Sequence, residues 1–293
     1  MELDIPQDTK GGSPMTLKEA IILFGYHQRS NLKPRTVRSY QPLLQRFEAE
    51  FGDRSFDSIG SDEIFQFLET VAGNHSRSTR RLRYAQLKAL FNFLIDKCNL
   101  NMKNPCDAPL LSKAFKTPKQ VARRILDREI VEELIYNTQT LQDRLILELQ
   151  ARCGLRIGEA LKIEVSDVVD RKLVLNEPKS GKELEVAFMP EQIAKRLHDY
   201  IQQEVLTPGD RLFPICYSTA RALIKQLGGR LNVVLTPHDL RRYSATYASR
   251  NGVPLEIVSK VILRHQDLKT TQAYLGKVTE SEAIRWMDVL HGR

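Results

Sequence analysis

The chain has 293 residues, of which 42% are hydrophobic, and a formal net charge of +8. It is long enough for two globular domains, no uninterrupted apolar run approaches membrane-spanning length, and the basic excess favours a polyanionic partner. The four cysteines are scattered without CxxC pairs, which argues against a zinc site or a disulfide framework and indicates a reducing, cytoplasmic setting.

The first third of the chain is predicted to be helical. Residues 1–15 lack the basic start and apolar core of a signal peptide, and we predict a disordered leader. Apolar residues then recur at helical spacing in four segments that begin near Thr16, Pro34, Ser61 and Ser76. Thr16 is a suitable N-cap, whereas Pro42 is expected to bend or split the second helix. We therefore expect a compact helical domain over residues 16–105.

The fourth predicted helix carries a basic stripe beside its apolar face. Arg77, Arg81 and Lys88 share that stripe, and they could follow a phosphate backbone. A solvated basic face is the simpler explanation, and the helix taken alone slightly favours it. The next segment, 101–122, has three prolines and little periodicity, which is typical of a linker, and we place that linker at 106–121.

The remainder, 122–293, mixes helices with a short β-hairpin. Asp127 should cap its first helix, and a second helix over 141–152 ends before Gly154. Alternating runs at 172–175 and 183–188 flank the turn-rich residues 176–181, so a hairpin is predicted with Lys179 at its tip. Helices return at 191–203, 218–227 and 255–263.

Residues 236–274 combine groups that suit phosphate chemistry. His238 and Arg241 are three apart just after Pro237, so both should leave the first turn of a helix, where an anion would also meet free N–H groups. Tyr274 follows a polar segment, and an accessible phenol can act as a nucleophile. Singly, such residues are more often surface ion pairs, helix caps or packed phenols, and we except only the pair of Arg241 with His238.

Five motifs occur in a fixed order along the second half of the chain. They are CGLRIGE at 153–159, PKSGK at 178–182, HDLRR at 238–242, LRH at 263–265, and Tyr274. Together they resemble the tyrosine recombinase family of phage integrases and Xer-like proteins. In that family a second histidine precedes the nucleophilic tyrosine by nine residues, and His265 and Tyr274 keep this interval. The segment PRTVRSY at 34–40 is similar to the family's core-binding domain.

The resemblance implies a mostly α fold with a small β-sheet. A helical, SAM-like core-binding domain would precede an α+β catalytic domain with a C-terminal protomer-contact helix. The implied activity is site-specific recombination, in which duplex DNA is cleaved and rejoined through a 3′-phosphotyrosyl intermediate without metal, ATP or another cofactor. The implied partners are duplex DNA with inverted half-sites and further copies of the chain, forming dimers and tetramers that clamp the DNA.

The resemblance also assigns roles to residues. Tyr274 would attack the phosphorus, Arg156 and Arg241 would each donate to the phosphate, and Lys179 would protonate the leaving 5′-oxygen. The supporting roles would be proton acceptance or phosphate binding by His238, donation to the phosphate by His265, and orientation of the donors by Glu159. The implied DNA contacts of the helical domain are Arg35, Arg38, Arg77, Arg81 and Lys88.

Two residues depart from the family pattern. The family often has histidine where this chain has Arg242 and glycine where it has Arg264, and we expect both changes to affect local packing rather than chemistry. Two other functions stay open: a type IB topoisomerase that relaxes DNA, and a sequence-specific DNA-binding protein of the same fold without strand exchange. A metal nuclease is disfavoured because no ligand cluster stands out in the sequence.

Overall fold

The structure is a computed structural model that describes residues 15–116, 125–176, 184–275, 284 and 286–289, with only the backbone of residues 273 and 274. The chain divides into two compact units, Met1–Gln120 and Val121–Arg293. The predicted leader, apart from Met15, and the predicted hairpin tip lie outside the described residues. None of the helices in the described ranges combines the length and apolar character that a bilayer crossing requires.

The described part of the first unit is helical. Thr16 caps its first helix as predicted, because the Thr16 hydroxyl accepts from the Glu19 N–H while the Glu19 carboxylate accepts from the Thr16 N–H at 2.9 Å. Buried phenylalanines, with Phe47 in contact with Phe51, Phe67 and Phe91, join the helices in one core. The helices are α1 (Leu17–Asn31), α2 (Pro34–Phe51), α3 (Ser61–Ala72), α4 (Arg77–Lys97) and α5 (Pro109–Ala114).

Pro42 does not split α2. The helix continues from Pro34 to Phe51 with Pro42 inside it. Proline lacks an N–H, so the carbonyl of Arg38 loses its helical partner. Pro42 is exposed, and water can therefore reach that carbonyl. The predicted split is therefore wrong, whereas the predicted bend stays a prediction.

The linker predicted over 106–121 is also wrong for its described part. Residues 105–107 form a 3₁₀ turn, α5 follows, and Cys106, Leu111 and Phe115 are buried in the core of the first unit. The Tyr84 hydroxyl donates to the Cys106 carbonyl at 2.8 Å, and the Tyr84 ring stacks on Phe115. Pro105 and Pro109, two of the three prolines that suggested a linker, begin short helices instead, since proline is tolerated at the first helical position.

The second unit contains a three-stranded antiparallel sheet, which confirms the predicted mostly helical class with a small sheet. Leu173 pairs with Ala187 and Leu175 with Glu185 across its two longer strands. The helices are α6 (Arg128–Tyr136), α7 (Leu141–Ala151), α8 (Ile157–Ala160), α9 (Glu191–Gln203), α10 (Tyr217–Arg230), α11 (Pro237–Arg250) and α12 (Leu268–Leu275). The strands are β1 (Val168–Val169), β2 (Lys172–Asn176) and β3 (Leu184–Phe188).

Two elements of this unit differ from the sequence prediction. The two-residue strand β1 is too short to show an alternating pattern, so the sequence indicated only a hairpin. The helix expected over 255–263 is a π-helix at Ile257–Ile262, where the Leu263 N–H reaches back five residues to the Val258 carbonyl at 2.9 Å. Asp127 stands at the N-cap of α6 as predicted, but its side chain makes no capping hydrogen bond there.

Replacing Leu111 tests whether α5 belongs to the first core. Leu111→Ala should lower the free energy of unfolding by roughly 2–5 kcal/mol because it empties a fully buried site. The neighbouring Leu110 is 50% exposed and provides the matched control. Leu110→Ala should change stability by no more than roughly 0.5 kcal/mol. Urea unfolding of the full chain measures both variants, and equal small effects would restore the linker interpretation.

Candidate active site

A glycine turn between α7 and α8 forms the floor of the candidate site. Gly154 has a φ of +65°, and a Cβ at this position would lie 2.7 Å from the Ile262 carbonyl oxygen. Only glycine therefore lets this turn approach the end of the π-helix. The close approach places the Gly154 carbonyl where two arginines donate to it, Arg241 through Nη1 and Arg264 through Nη2.

Arg241 projects from the first turns of α11 into the protein and is 1% exposed. Its Nη1 donates to the Gly154 carbonyl and its Nη2 to the Leu263 carbonyl. At the start of α11 the Asp239 carboxylate accepts from the Thr236 N–H at 2.9 Å, which closes a capping box. The binding of a phosphate at this helix terminus stays a prediction.

Glu159 is a buried carboxylate surrounded by three guanidinium groups. Its Oε1 lies 2.5 Å from Nη1 of Arg156, and its Oε2 lies 3.0 Å from Nη2 of Arg264 and 3.8 Å from Nη1 of Arg241. Its Oε2 also accepts from the Arg156 N–H at 2.9 Å. Burial raises the pKa of Glu159, but the charges of Arg264, Arg156 and Arg241 outweigh burial and lower it. The carboxylate is therefore charged at neutral pH and holds the three cations together.

Arg264 lies beside Glu159, and its effect on local packing more than on chemistry stays a prediction. It is 5% exposed, and besides Glu159 it faces Glu185 of β3, with Nε 3.6 Å from Oε2. Arg264 has a φ of +51°, a backbone conformation that glycine adopts readily. This conformation explains why the family often has glycine at this position. Arg242, in contrast, pairs with Asp239 three residues earlier, as a packing role predicts.

His265 is buried beside the arginines. Its Nδ1 lies 2.9 Å from the Thr271 hydroxyl, which donates to the Ser259 hydroxyl at 2.8 Å. Burial and the charges of Arg241, Arg156 and Arg264 lower the pKa of His265 to about 4, although Glu159 acts in the opposite direction. The imidazole is therefore neutral at pH 7.

The structure describes three of the expected catalytic residues in less detail than the others. Lys179 lies outside the described residues. Tyr274 belongs to α12, which begins three residues after His265, but only its backbone is described. His238 is exposed in the first turn of α11. In the described part of the chain no group of three or more His, Cys, Asp or Glu side chains could hold a metal ion.

The expected DNA-binding residues of the first unit divide into two groups. Arg35, Arg38 and Arg77 are exposed, the first two in the opening turns of α2 and the third at the start of α4. Arg81 lies over the Tyr84 ring, with its guanidinium carbon 5.0 Å from the ring centre, and Lys88 is ion-paired with Asp107. Lys88 thus has an acidic neighbour that the sequence did not indicate, and its contact with DNA stays a prediction, as it does for the four arginines.

Sequence reasoning missed Glu185 and its pairing with Arg264. Glu185 occupies an inward position of β3, between the exposed Leu184 and Val186, and is 7% exposed. A carboxylate at an inward strand position was a usable signal, because buried acids require a cationic partner. Its partner, Arg264, is far away in sequence and could not be identified from spacing.

The pKa of His265 predicts a pH-dependent stability. Unfolded histidine titrates near pH 6.5 and the folded group near pH 4, so between these values the unfolded state binds a proton that the folded state does not. The free energy of unfolding should fall by up to about 3 kcal/mol as the pH drops through this window. Urea unfolding at several pH values should show that His265→Gln removes this fall in the free energy of unfolding.

The exposed His198 of α9 provides the control for that experiment. His198→Gln should keep the wild-type slope, and titration of the carboxylates cancels in each difference from wild type. If the difference in the free energy of unfolding between wild type and His265→Gln does not change with pH, the assigned pKa of His265 is contradicted.

Family models match most of the chain. The phage integrase family model matches residues 124–280, and the phage integrase N-terminal SAM-like domain matches residues 25–97. Among curated proteins, tyrosine recombinase XerA of Saccharolobus solfataricus is 29% identical over 251 residues, covering 84% of this chain and 83% of that protein. Tyrosine recombinase XerD of Pseudomonas aeruginosa is 27% identical over 263 residues, covering 83% of this chain and 87% of that protein.

Solved structures share the fold. The Tn1549 transposon integrase in complex with transposon right end DNA aligns with a TM-score of 0.74 at 17% identity, covering 94% of this chain and 99% of that chain. A lambda integrase dimer bound to a COC′ core site aligns with a TM-score of 0.73 at 17% identity, covering 91% of this chain and 100% of that chain. With family models matched in both units, the chain belongs to the phage integrase family of tyrosine recombinases.

Proposed function

We propose that this chain is a site-specific recombinase that cleaves and rejoins duplex DNA through a 3′-phosphotyrosyl intermediate. The observation that carries the proposal is the cluster of Arg156, Arg241 and Arg264 around the buried Glu159, with Tyr274 on the helix that follows His265. Such a cluster suits a phosphodiester, whose non-bridging oxygens require neutralisation when a phenol attacks.

The arginines supply the charge for this reaction. Among these five described groups, the three guanidinium groups outnumber the carboxylates of Glu159 and Glu185, so the five together carry a net positive charge that suits a phosphate. Arg156 keeps 21% of its side chain exposed, so it can meet an incoming phosphate. Arg241 uses two of its amine groups on backbone carbonyls, and this fixes the plane in which its remaining N–H groups donate.

Acid–base chemistry would come from residues around this cluster. Lys179, in the segment between β2 and β3, would protonate the leaving 5′-oxygen, and His238 would accept the phenol proton or bind the phosphate. The neutral His265 would bind the same phosphate through one ring nitrogen. Because the protein–DNA ester conserves the energy of the broken bond, rejoining would need no ATP.

The first unit would supply phosphate contacts from Arg35, Arg38, Arg77, Arg81 and Lys88. These residues are exposed or partly exposed on α2 and α4. Contacts of this kind release counterions, so binding should weaken steeply with added salt. We place the protein in the cytoplasm, where it would meet duplex DNA carrying inverted half-sites.

Recombination would proceed in dimers and tetramers on DNA. The solved lambda integrase structures include a dimer on a core site and a tetramer on a Holliday junction. In this chain Trp286 packs over Gly252 of the same chain, while Ile284, Met287 and Val289 are more than half exposed. We assign these exposed apolar residues of the C-terminal segment to contact with a neighbouring protomer.

Tyr274→Phe tests the nucleophile. The variant keeps the ring and loses the attacking oxygen, so it should bind DNA as wild type does and form no covalent adduct. The probe is a pool of nicked duplexes with randomised inverted half-sites, from which adducts are captured after denaturation and sequenced. The recovered duplex is then synthesised and presented to each variant, followed by denaturing electrophoresis.

Tyr247→Phe is the matched control for this substitution. Tyr247 is 40% exposed on α11, and its loss should leave the adduct intact. Tyr243 is a poor substitute nucleophile, because burial, with the nearby Glu132 and Tyr247, raises its pKa to about 12. An adduct formed by Tyr274→Phe would exclude Tyr274 as the nucleophile. If the wild-type protein forms the adduct and relaxes supercoiled DNA but does not exchange strands, the topoisomerase function is favoured.

A further inference from the structure

His265 is held at two points by one residue of the π-helix. Its backbone N–H donates to the Ser259 carbonyl at 2.8 Å. Its ring reaches the Ser259 hydroxyl through Thr271, because Nδ1 lies 2.9 Å from the Thr271 hydroxyl and that hydroxyl donates to the Ser259 hydroxyl at 2.8 Å. These contacts fix where the backbone of His265 lies and which way its ring turns.

The three polar side chains are buried together. Ser259 and Thr271 are fully buried, and His265 is nearly so. Hydrogen bonds in such surroundings are electrostatically stronger than in water, and a polar group left there without its partner is costly. The three side chains therefore form one unit whose members depend on each other.

The Thr271 hydroxyl acts as an acceptor towards the imidazole. A hydroxyl has one proton and two acceptor lone pairs. The Thr271 proton is used in the bond to Ser259, so Nδ1 of His265 must supply the proton of the bond between them. Because the buried imidazole is neutral, it is the tautomer with its proton on Nδ1, and its Nε2 has a lone pair.

The helix that carries Thr271 also carries the proposed nucleophile. Thr271 lies in α12, three residues before Tyr274. A threonine inside a helix often donates to the carbonyl four residues earlier, which is a purely local bond. Thr271 donates to the π-helix instead and accepts from His265, which precedes α12. Hydrogen bonds therefore tie α12 to the imidazole.

The imidazole is also close to the charges of the proposed phosphate site. The charged groups that influence its pKa are Arg241 of α11, Arg156 and Glu159 of α8, and Arg264. Burial and the three arginines lower this pKa to about 4. A bound phosphate would act in the opposite direction, since its negative charge favours a second proton on the ring. Because Nδ1 already has its proton, the second proton would enter at Nε2.

We infer that Thr271 is a positioning residue, whose hydroxyl keeps the proton of His265 on Nδ1 and so assigns Nε2 to the scissile phosphate. The inference rests on the proposed function, because it requires His265 to meet that phosphate. When the phosphate binds, Nε2 takes up a proton from solvent and donates it in a hydrogen bond to a phosphate oxygen. Thr271 acts on the reaction only through the imidazole.

Nitrogen NMR of the full chain with labelled histidine tests the tautomer in the absence of DNA. Near neutral pH, wild type should show His265 protonated on Nδ1 and unprotonated on Nε2, and His265→Gln identifies these signals by removing them. Thr271→Ser should keep the pattern because it keeps the hydroxyl. Thr271→Val should lose the preference for Nδ1. Protonation of Nε2 rather than Nδ1 in wild type would overturn the inference.

Ser259→Ala tests the same assignment while leaving Thr271 in place. This substitution removes the acceptor of the Thr271 proton, so the hydroxyl becomes able to donate to Nδ1 of His265. The proton of the imidazole should then move to Nε2, which is the reverse of the wild-type pattern. An unchanged pattern in Ser259→Ala would contradict the role given to the Thr271 hydroxyl, even if Thr271→Val does not fold.

Cleavage of the duplex recovered in the Tyr274 experiment tests the role in the reaction. Thr271→Val should slow formation of the covalent adduct by roughly tenfold to a hundredfold, the range that is typical when the partner orienting a metal-binding histidine is removed. Thr271→Ser should restore most of the rate. Thr270 is exposed in the same helix, so Thr270→Val is the matched control and should react as wild type does.

A double variant separates positioning from a general effect on α12. In a chain that already carries His265→Gln, Thr271→Val should slow the reaction no further, because Thr271 acts through the imidazole. If Thr271→Val has its full effect there, the positioning role is overturned, while an adduct that depends on Tyr274 keeps the proposed function. If wild type forms no adduct through Tyr274, the proposed function fails, and the assignment of Nε2 to a phosphate fails with it.

Discussion

The geometry of the site depends on one buried carboxylate. Glu159 is 9% exposed and stands between the guanidinium groups of Arg156, Arg241 and Arg264. Three cations at this spacing repel each other strongly where water is scarce, and an anion among them turns that repulsion into attraction. Removing one partner of a buried ion pair typically costs about 3–5 kcal/mol, since the remaining charge stays desolvated. The carboxylate thereby lets the chain hold a net positive site ready for a phosphate.

The backbone brings the cluster together by two unusual conformations. The left-handed Gly154 lies so near Ile262 that a Cβ there would be 2.7 Å from the Ile262 carbonyl oxygen, and Arg241 joins this turn to Leu263 by donating to the carbonyls of Gly154 and Leu263. The π-helix ends at Ile262, and the left-handed Arg264 then reaches both Glu159 and the hairpin. Segments far apart in sequence are thus fixed to each other by arginine side chains, and the same side chains supply the charge that the reaction needs.

Much of this arrangement was predictable from local patterns. Helical spacing located most helices, the i, i+3 interval placed Arg156 beside Glu159, and the motif order indicated the family. Contacts between distant segments were not predictable. Tertiary packing produces no periodic pattern in the sequence. It determines the burial of Leu111 and Phe115, the pairing of Lys88 with Asp107, and the contact between Arg264 and Glu185. The left-handed backbone of Arg264 was hidden because its residue type gives no turn signal.

The central claim is that the arginines held by Glu159 neutralise the scissile phosphate, and a substrate that lacks the charge tests it most directly. Arg156→Ala leaves Glu159 paired with Arg241 and Arg264, so the site should stay folded. Its cleavage rate on the phosphodiester should fall by roughly 10²–10³-fold, as for the loss of one oxyanion donor. On a duplex with one neutral methylphosphonate at the scissile position, the variant should cleave nearly as fast as wild type. An equal loss on both substrates would contradict the account.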